Sequence, residues 1–151
     1  MNIKIKKLHN DTIIPTRGSE QAAGYDLYAY LGGSEECKIE PNKTYKIGTG
    51  IAMQIPDGYF GAVFARSGLS TKKGLRPANC VGVIDSDYRG EIGVALHNDS
   101  EYTQTILANE RIAQIVFLPY IPAEFDEVKE LNDTERGEGG FGSTGTTKEQ
   151  K

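Results

Sequence analysis

The segment Asp85-Ser86-Asp87-Tyr88-Arg89-Gly90 follows the apolar run Val81-Gly82-Val83-Ile84, so two carboxylates stand where a buried strand runs out. A carboxylate at the rim of an apolar pocket can have a raised pKa and serve as a general base. The same residues equally suit a hairpin turn in which the acids cap backbone N–H groups. Asp85 and Asp87 are two apart and share a strand face, so the local pattern leaves open which of them works. Arg66-Ser67-Gly68 offers a forked guanidinium, a hydroxyl and bare backbone opening a helix, a combination suited to phosphate oxygens. Its plainer reading is a surface arginine beside a helix cap. Arg111-Ile112-Ala113-Gln114 sets two polar side chains in an apolar strand, where they need partners: a ligand, the sheet edge or a subunit contact. Arg136-Gly137-Glu138-Gly139-Gly140-Phe141-Gly142-Ser143-Thr144-Gly145 joins a cation, hydroxyls and one aromatic ring on a glycine-rich arm. Such an arm could close over a flat base and its phosphates by stacking and close backbone approach.

The elements that must position these groups read as short strands. Runs at 3–8, 44–55, 59–65, 81–84, 91–96, 103–107 and 111–120 are rich in Ile, Val, Tyr and Phe, and turn chemistry such as Pro56-Asp57-Gly58 separates them. No long window carries the 3.6-residue apolar period of an amphipathic helix. The pattern predicts an all-β jelly roll or barrel-like fold with at most one short helix, at 67–74, with Ser67 as N-cap and Gly74 as C-cap. Positions 124–131 fit either a helix face or a bulged strand, and strand is the preferred reading. From Asn132 to Lys151 the chain turns glycine-rich and polar, with too little apolar area to offset ordering, so it reads as an arm on a single domain spanning 1–131.

Composition narrows the function classes. The 151 residues, 38% hydrophobic and 25% charged, suit one globular domain. No apolar run is long enough for a membrane span, and the amino-terminal residues alternate lysine with isoleucine instead of forming a signal-peptide core. Cys37 and Cys80 have neither zinc-site spacing nor nearby histidines, so reduced thiols and a cytoplasmic setting are expected. The net charge of −4 argues against nucleic acid polymers and anionic membranes as partners. Residues 65–84 nevertheless hold Arg66, Lys72, Lys73 and Arg76 and no acid, so a small, multiply charged anion could be steered there.

Taken in chain order, Ala23-Gly24-Tyr25-Asp26-Leu27-Tyr28-Ala29, Arg66-Ser67-Gly68-Leu69 running to Lys73-Gly74, Gly82 to Gly90, Arg111-Ile112-Ala113-Gln114 and the arm resemble the five motifs of the homotrimeric dUTP pyrophosphatases (dUTPases). Five motifs in order and at plausible spacing are far more specific than any one alone. The fourth departs slightly: Asn109-Glu110 stands where the family usually shows Gly-Asp, and asparagine tolerates the left-handed backbone a turn there needs.

The resemblance implies a trimeric jelly roll with three active sites shared between subunits, hydrolysing dUTP to dUMP and pyrophosphate with Mg²⁺. By similarity Asp85 would be the base that activates water. Arg66, Ser67, Gly68 and Gln114 would hold the phosphates, and Asp26 would meet Mg²⁺ through water. Asn79 with the backbone of Gly82, Val83 and Ile84 would read uracil, and Tyr88 would pack under deoxyribose and exclude a 2′-hydroxyl. Phe141 would stack on the base as the arm closes, with Arg136, Gly142 and Ser143 at the phosphates. His97 matches no motif and reads as structural. Two alternatives remain: a dCTP deaminase-like enzyme of the same superfamily, whose pattern has a catalytic glutamate near the hairpin and lacks the arm, and a non-catalytic nucleotide-binding trimer.

Overall fold

The computed structural model describes residues 1–140, and among them the short β-branched runs form twelve strands and one helix. In order these are β1 (Lys4–Lys7), β2 (Thr16–Arg17), β3 (Tyr25–Tyr28), β4 (Glu36–Ile39), β5 (Thr44–Gly48), β6 (Ile51–Gln54), β7 (Tyr59–Phe64), α1 (Ser67–Lys73), β8 (Leu75–Pro77), β9 (Gly82–Ile84), β10 (Gly93–Asn98), β11 (Gln104–Leu107) and β12 (Arg111–Pro119). A five-stranded sheet runs β2-β3-β12-β7-β9 and a three-stranded sheet β5-β10-β8, with β1-β6 and β11-β4 as pairs. All ladders are antiparallel, and most join strands distant in sequence. The fold is all-β and jelly-roll-like with one short helix, as the strand pattern implied.

The core gathers Leu27, Ile39, Ile51, Ile55, Leu75, Ile92, Leu96, Ile106, Ile112 and Ile115, all essentially sealed from solvent. On β10 burial alternates strictly, with Val94, Leu96 and Asn98 inward, as a strand with one face on a core must show. Asn98 is fully buried and its amide is fully engaged. Nδ2 donates to the carbonyls of Ile39 and Tyr102, both at 2.8 Å, and Oδ1 accepts from the Ser100 amide at 2.9 Å.

Several elements depart from the sequence reading. The run at 44–55 is two strands, because Gly50 takes a left-handed φ of 66° and the Thr49 hydroxyl turns to the Ile92 carbonyl at 2.5 Å. Ser67 is the first helical residue and not the cap. Arg66 occupies the cap position with extended backbone and makes no side-chain cap bond, because a guanidinium has only donors and cannot accept from the first helical N–H groups. Gly74 closes the helix in the left-handed conformation, φ 66°, as expected. Strands β2, β3, β4 and β8 are too short or too polar to have shown a period.

Contacts divide the chain into a unit Met1–Ile121 and a unit Pro122–Lys151. Among the described residues of the second, none is helical or stranded, so 124–131 is not the strand preferred from sequence. Phe125, at 98% exposed, and Leu131, at 86%, find no sheet to join. Within this unit Arg136 Nε donates to the Gly139 carbonyl at 2.7 Å around a left-handed Gly137. Phe141, Gly142 and Ser143 lie outside the described residues.

Candidate active site

Three of the sequence motifs meet on one face of the five-stranded sheet. Asp26 on β3 stands opposite Gln114 on β12, which stands opposite Phe64 on β7. Directly opposed residues share a face, so Asp26 and Gln114 lie side by side. Arg66, two residues past Phe64 in extended conformation, brings its guanidinium back across β12. Its Nε donates to Asp26 Oδ1 at 2.8 Å and its Nη1 to the Arg111 carbonyl at 3.3 Å. Arg111 Nη1 donates to Asp26 Oδ2 at 3.2 Å. A register shift between Arg111 and Ala113 frees Arg111 from strict alternation, a usual function of a bulge beside a site. Asp26 is thus a buried carboxylate, 8% exposed, under two guanidiniums.

Gln114 is set by close packing. Its Nε2 donates to the Ala65 carbonyl at 2.9 Å, while its Oε1 lies so near Gly24 that any Cβ there would collide with it. A side chain at Gly24 would turn the amide away from this position. Gly68 differs, since nothing in the described chain lies within 4 Å of where its Cβ would stand.

The basic window at 65–84 proves largely neutralised. Arg66 pairs with Asp26, Lys73 with Glu110 at 2.9 Å, and Arg76 with Asp99 through bonds of 2.6 and 3.0 Å. That bidentate pairing holds the Arg76 pKa above its ordinary value. Among the described residues, Lys72 alone of the four has no acidic partner, so the window is no diffuse anion trap and its cations are placed individually. Asn109 takes φ 63°, the left-handed turn expected of it, and its neighbour Glu110 both binds Lys73 and accepts the Leu107 amide at 2.9 Å.

The third motif forms a second centre. Edge strand β9 pairs with β7, Gly82 opposite Val63 and Ile84 opposite Gly61. Gly82, Val83 and Ile84 line a cavity of about 160 Å³ with Asn79, Val63 and Pro77. A side chain on Gly82 would press on Val63 and on Asn79 Nδ2, at 3.3 and 3.4 Å, and fill this slot. Asn79 reaches it from a tight turn in which Cys80 takes φ 61° and the Val81 amide donates to the Asn79 carbonyl at 2.6 Å. Beyond β9, Asp85, Ser86 and Asp87 border a wider concavity of about 580 Å³ with Phe60 and Tyr120. The Tyr88 ring lies against Gly90 and its hydroxyl donates to the Glu91 carbonyl at 3.0 Å. Arg89 Nη1 donates to the carbonyls of Ser86 at 2.6 Å and Tyr88 at 2.9 Å, fixing the loop. His97 bonds Thr44 Oγ1 at 2.8 Å and lines neither cavity.

The two centres are far apart within one chain. The register carries Asp85 to the level of Phe60, while Asp26 lies at the level of Phe64, three strand positions from β9. Four residues at ~3.3 Å along the strands and three spacings of ~4.8 Å across them give a separation of roughly 20 Å.

Among the described residues no three His, Cys, Asp or Glu side chains converge on a metal position, and both Asp26 oxygens are committed to arginines. This donor set suits a Mg²⁺ that arrives chelated by a ligand's phosphates and keeps its own waters. Sequence reasoning passed over Arg111 as the second partner of Asp26, and Gly24 as the space for Gln114. Only the cross-strand register, invisible in one sequence, brings those pairs together.

Comparison with known proteins agrees with the motif order. The dUTPase family profile matches residues 10–145. The deoxyuridine 5'-triphosphate nucleotidohydrolase of Nautilia profundicola is 49% identical over 145 residues, covering 96% of this chain and 99% of the relative. That of Escherichia phage T5 is 49% identical over 148 residues, covering 95% and 99%. The Staphylococcus bacteriophage 80alpha dUTPase, solved with dUPNHPP, superposes with a TM-score of 0.85 at 32% identity, covering 95% of this chain and 98% of that one. A mutant dUTPase from phage phi11 of S. aureus, described with a coordinated structural Mg(II) ion, gives a TM-score of 0.76 at 26% identity, covering 86% and 98%. With its five motifs in order, its jelly-roll-like sheet and these relatives, the chain belongs to the dUTPase family.

Proposed function

We propose that the protein hydrolyses dUTP to dUMP and pyrophosphate as a cytoplasmic homotrimer whose active sites are each built from more than one subunit. The observation that carries this reading is the sheet register, which sets Asp85 roughly 20 Å from Asp26 and the Arg66 guanidinium bonded to it, because a base acting at the α-phosphorus must stand within a few ångströms of the groups that hold the same phosphates. One chain does not provide that proximity, whereas the slot of one copy set against the arginine face of the next would.

In such a site Asn79 and the backbone of Gly82, Val83 and Ile84 hold uracil in the small cavity, and a 5-methyl group would be excluded by its walls. Tyr88 lies against the deoxyribose, where a 2′-hydroxyl would collide with its ring. Asp85 takes a proton from a water whose oxygen attacks the α-phosphorus in line. The bond from that phosphorus to the α,β-bridging oxygen breaks, and pyrophosphate leaves with the electron pair. The neighbour's Arg66, Ser67, Gly68 and Gln114 hold the phosphates, and charge spread over their oxygens is met by the fixed guanidinium. Asp26 would meet, through water, a Mg²⁺ carried in by the substrate phosphates, and that ion would supply neutralisation of part of the same charge. Residues 132–151 supply an arm that closes over a neighbouring subunit's site. Phe141 stacks on the base while Arg136, Gly142 and Ser143 reach the phosphates.

Subunit mixing tests this directly. Asp85→Asn and Arg66→Gln homotrimers are each expected to be nearly inactive. After co-refolding, about a quarter of the sites should draw both intact residues from different chains and recover turnover, given random assortment. No recovery in verified mixed trimers would place both residues in a site made by one chain.

A further inference from the structure

The exposed Glu91, at the end of the Asp85–Gly90 hairpin loop, carries no role in the site described above, yet it bonds in two directions. Its backbone carbonyl accepts the Tyr88 hydroxyl at 3.0 Å. Its side-chain Oε1 accepts the amide of buried Gly50 at 2.7 Å, in the turn between β5 and β6. The carboxylate also fills the space beside Gly48, where any Cβ would meet it. Gly50 can present its amide there because it holds the left-handed conformation, φ 66°. The same peptide is also tied at its amide end: the Ile92 N–H, coplanar with the Glu91 carbonyl, donates to the Ile51 carbonyl at 2.9 Å, and the Thr49 amide donates to the Ile92 carbonyl at 3.2 Å.

The geometry points to Glu91 as a positioning residue that sets sugar discrimination by fixing the Tyr88 ring. The inference rests on the reading in which Tyr88 lies against deoxyribose. Discrimination by exclusion requires a ring that cannot yield, since a wall that shifts by an ångström admits the larger sugar. The Tyr88 ring has two restraints, the Gly90 backbone beneath it and the hydroxyl bond to Glu91. The second is only as fixed as the Glu91 peptide. That peptide is held at its amide by the Ile51 carbonyl and, through the Glu91 side chain, by the Gly50 amide, so the carboxylate ties the end of the hairpin loop to a turn outside the site. Without it, the Ile92 amide still anchors that peptide, but the Glu91 Cα loses its tie to the turn, so the peptide can rock about the remaining bond and carry its carbonyl, and with it the tyrosine hydroxyl, off position.

The test compares kcat/KM for dUTP and UTP in the full-length protein and its Glu91→Ala, Glu91→Gln and Tyr88→Phe variants. Glu91→Ala is expected to lower the dUTP-to-UTP ratio about tenfold, near the upper value of one net hydrogen bond, mainly by raising UTP turnover. Glu91→Gln keeps an acceptor for the Gly50 amide and is expected to retain the wild-type ratio. Adding Glu91→Ala to Tyr88→Phe should change the ratio little further, because both cut the same chain of bonds. An unchanged ratio in Glu91→Ala, an equal loss in Glu91→Gln, or fully additive effects would each overturn the inference. If the wild-type protein itself fails to prefer dUTP over UTP, the reading of Tyr88 falls instead, a result that the variants do not mimic.

Discussion

Replacing Asp26 with Asn keeps the shape of the side chain but removes the charge that gathers Arg66 and Arg111. The carboxylate accepts two charge-assisted bonds, at 2.8 Å from Arg66 and 3.2 Å from Arg111. An amide can accept only one of them, and its NH₂ must face the other guanidinium. Bonds to charged groups contribute about 1.5–3 kcal/mol each. One is lost and the other becomes a bond to a neutral acceptor, while the partial exposure of the arginine side chains, 28% and 48%, argues for the low end. The expected loss is therefore about 2–3 kcal/mol, or roughly 5–10 °C in Tm for a chain of this size. Urea and thermal unfolding at one fixed protomer concentration measure it, since assembly makes apparent stability concentration-dependent. Arg66 should also lose its orientation, so KM for dUTP should rise more than kcat falls. A double-mutant cycle with Arg111→Met should show the two changes to be strongly coupled. A loss below about 0.5 kcal/mol with unchanged KM would refute the view that Asp26 organises these cations.

Three further perturbations follow from the same geometry. Gly24→Ala places a methyl group where Gln114 Oε1 stands; that flexible end can turn aside, so stability should fall by less than about 1 kcal/mol while turnover falls with the displaced amide, as paired denaturation and kinetic measurements would show. At Asn109, with φ 63°, glycine should be nearly neutral, whereas valine should cost about 1–3 kcal/mol by denaturation because β-branched residues resist the left-handed region. The Cys37 thiol has its pKa raised first by burial and then by Glu40, so less of it is thiolate at neutral pH. A disulfide reagent should label exposed Cys80 faster, and the Cys37 rate should reach its plateau only at a pH above that of an ordinary thiol.

What was legible in the sequence was local. β-branched runs and turn residues marked seven strand regions, and the short helix with its glycine stop was visible in Ser67 to Gly74. The polar groups in apolar strands signalled a site because burial demands partners for them. Which partners they take depends on register: Asp26 meets Gln114 only through the β3–β12 ladder, and Arg66 reaches Asp26 only by recrossing β12. The same cause explains the basic window, whose charges are answered by Asp26, Glu110 and Asp99, acids distant in sequence. Positions 124–131 carried apolar spacing without a strand to pair with, so periodicity alone misled there.

The central claim is that this fold turns over dUTP at the α-phosphorus. Incubating the purified protein with Mg²⁺ and, separately, dUTP, dCTP, dTTP and UTP, then resolving products by chromatography, tests it most directly. The account predicts dUMP and pyrophosphate from dUTP, little turnover of the others, and loss of dUTP turnover by orders of magnitude in Asp85→Asn with nucleotide binding largely kept. Ammonia released from dCTP, or nucleotide bound without any dUMP formed, would contradict it.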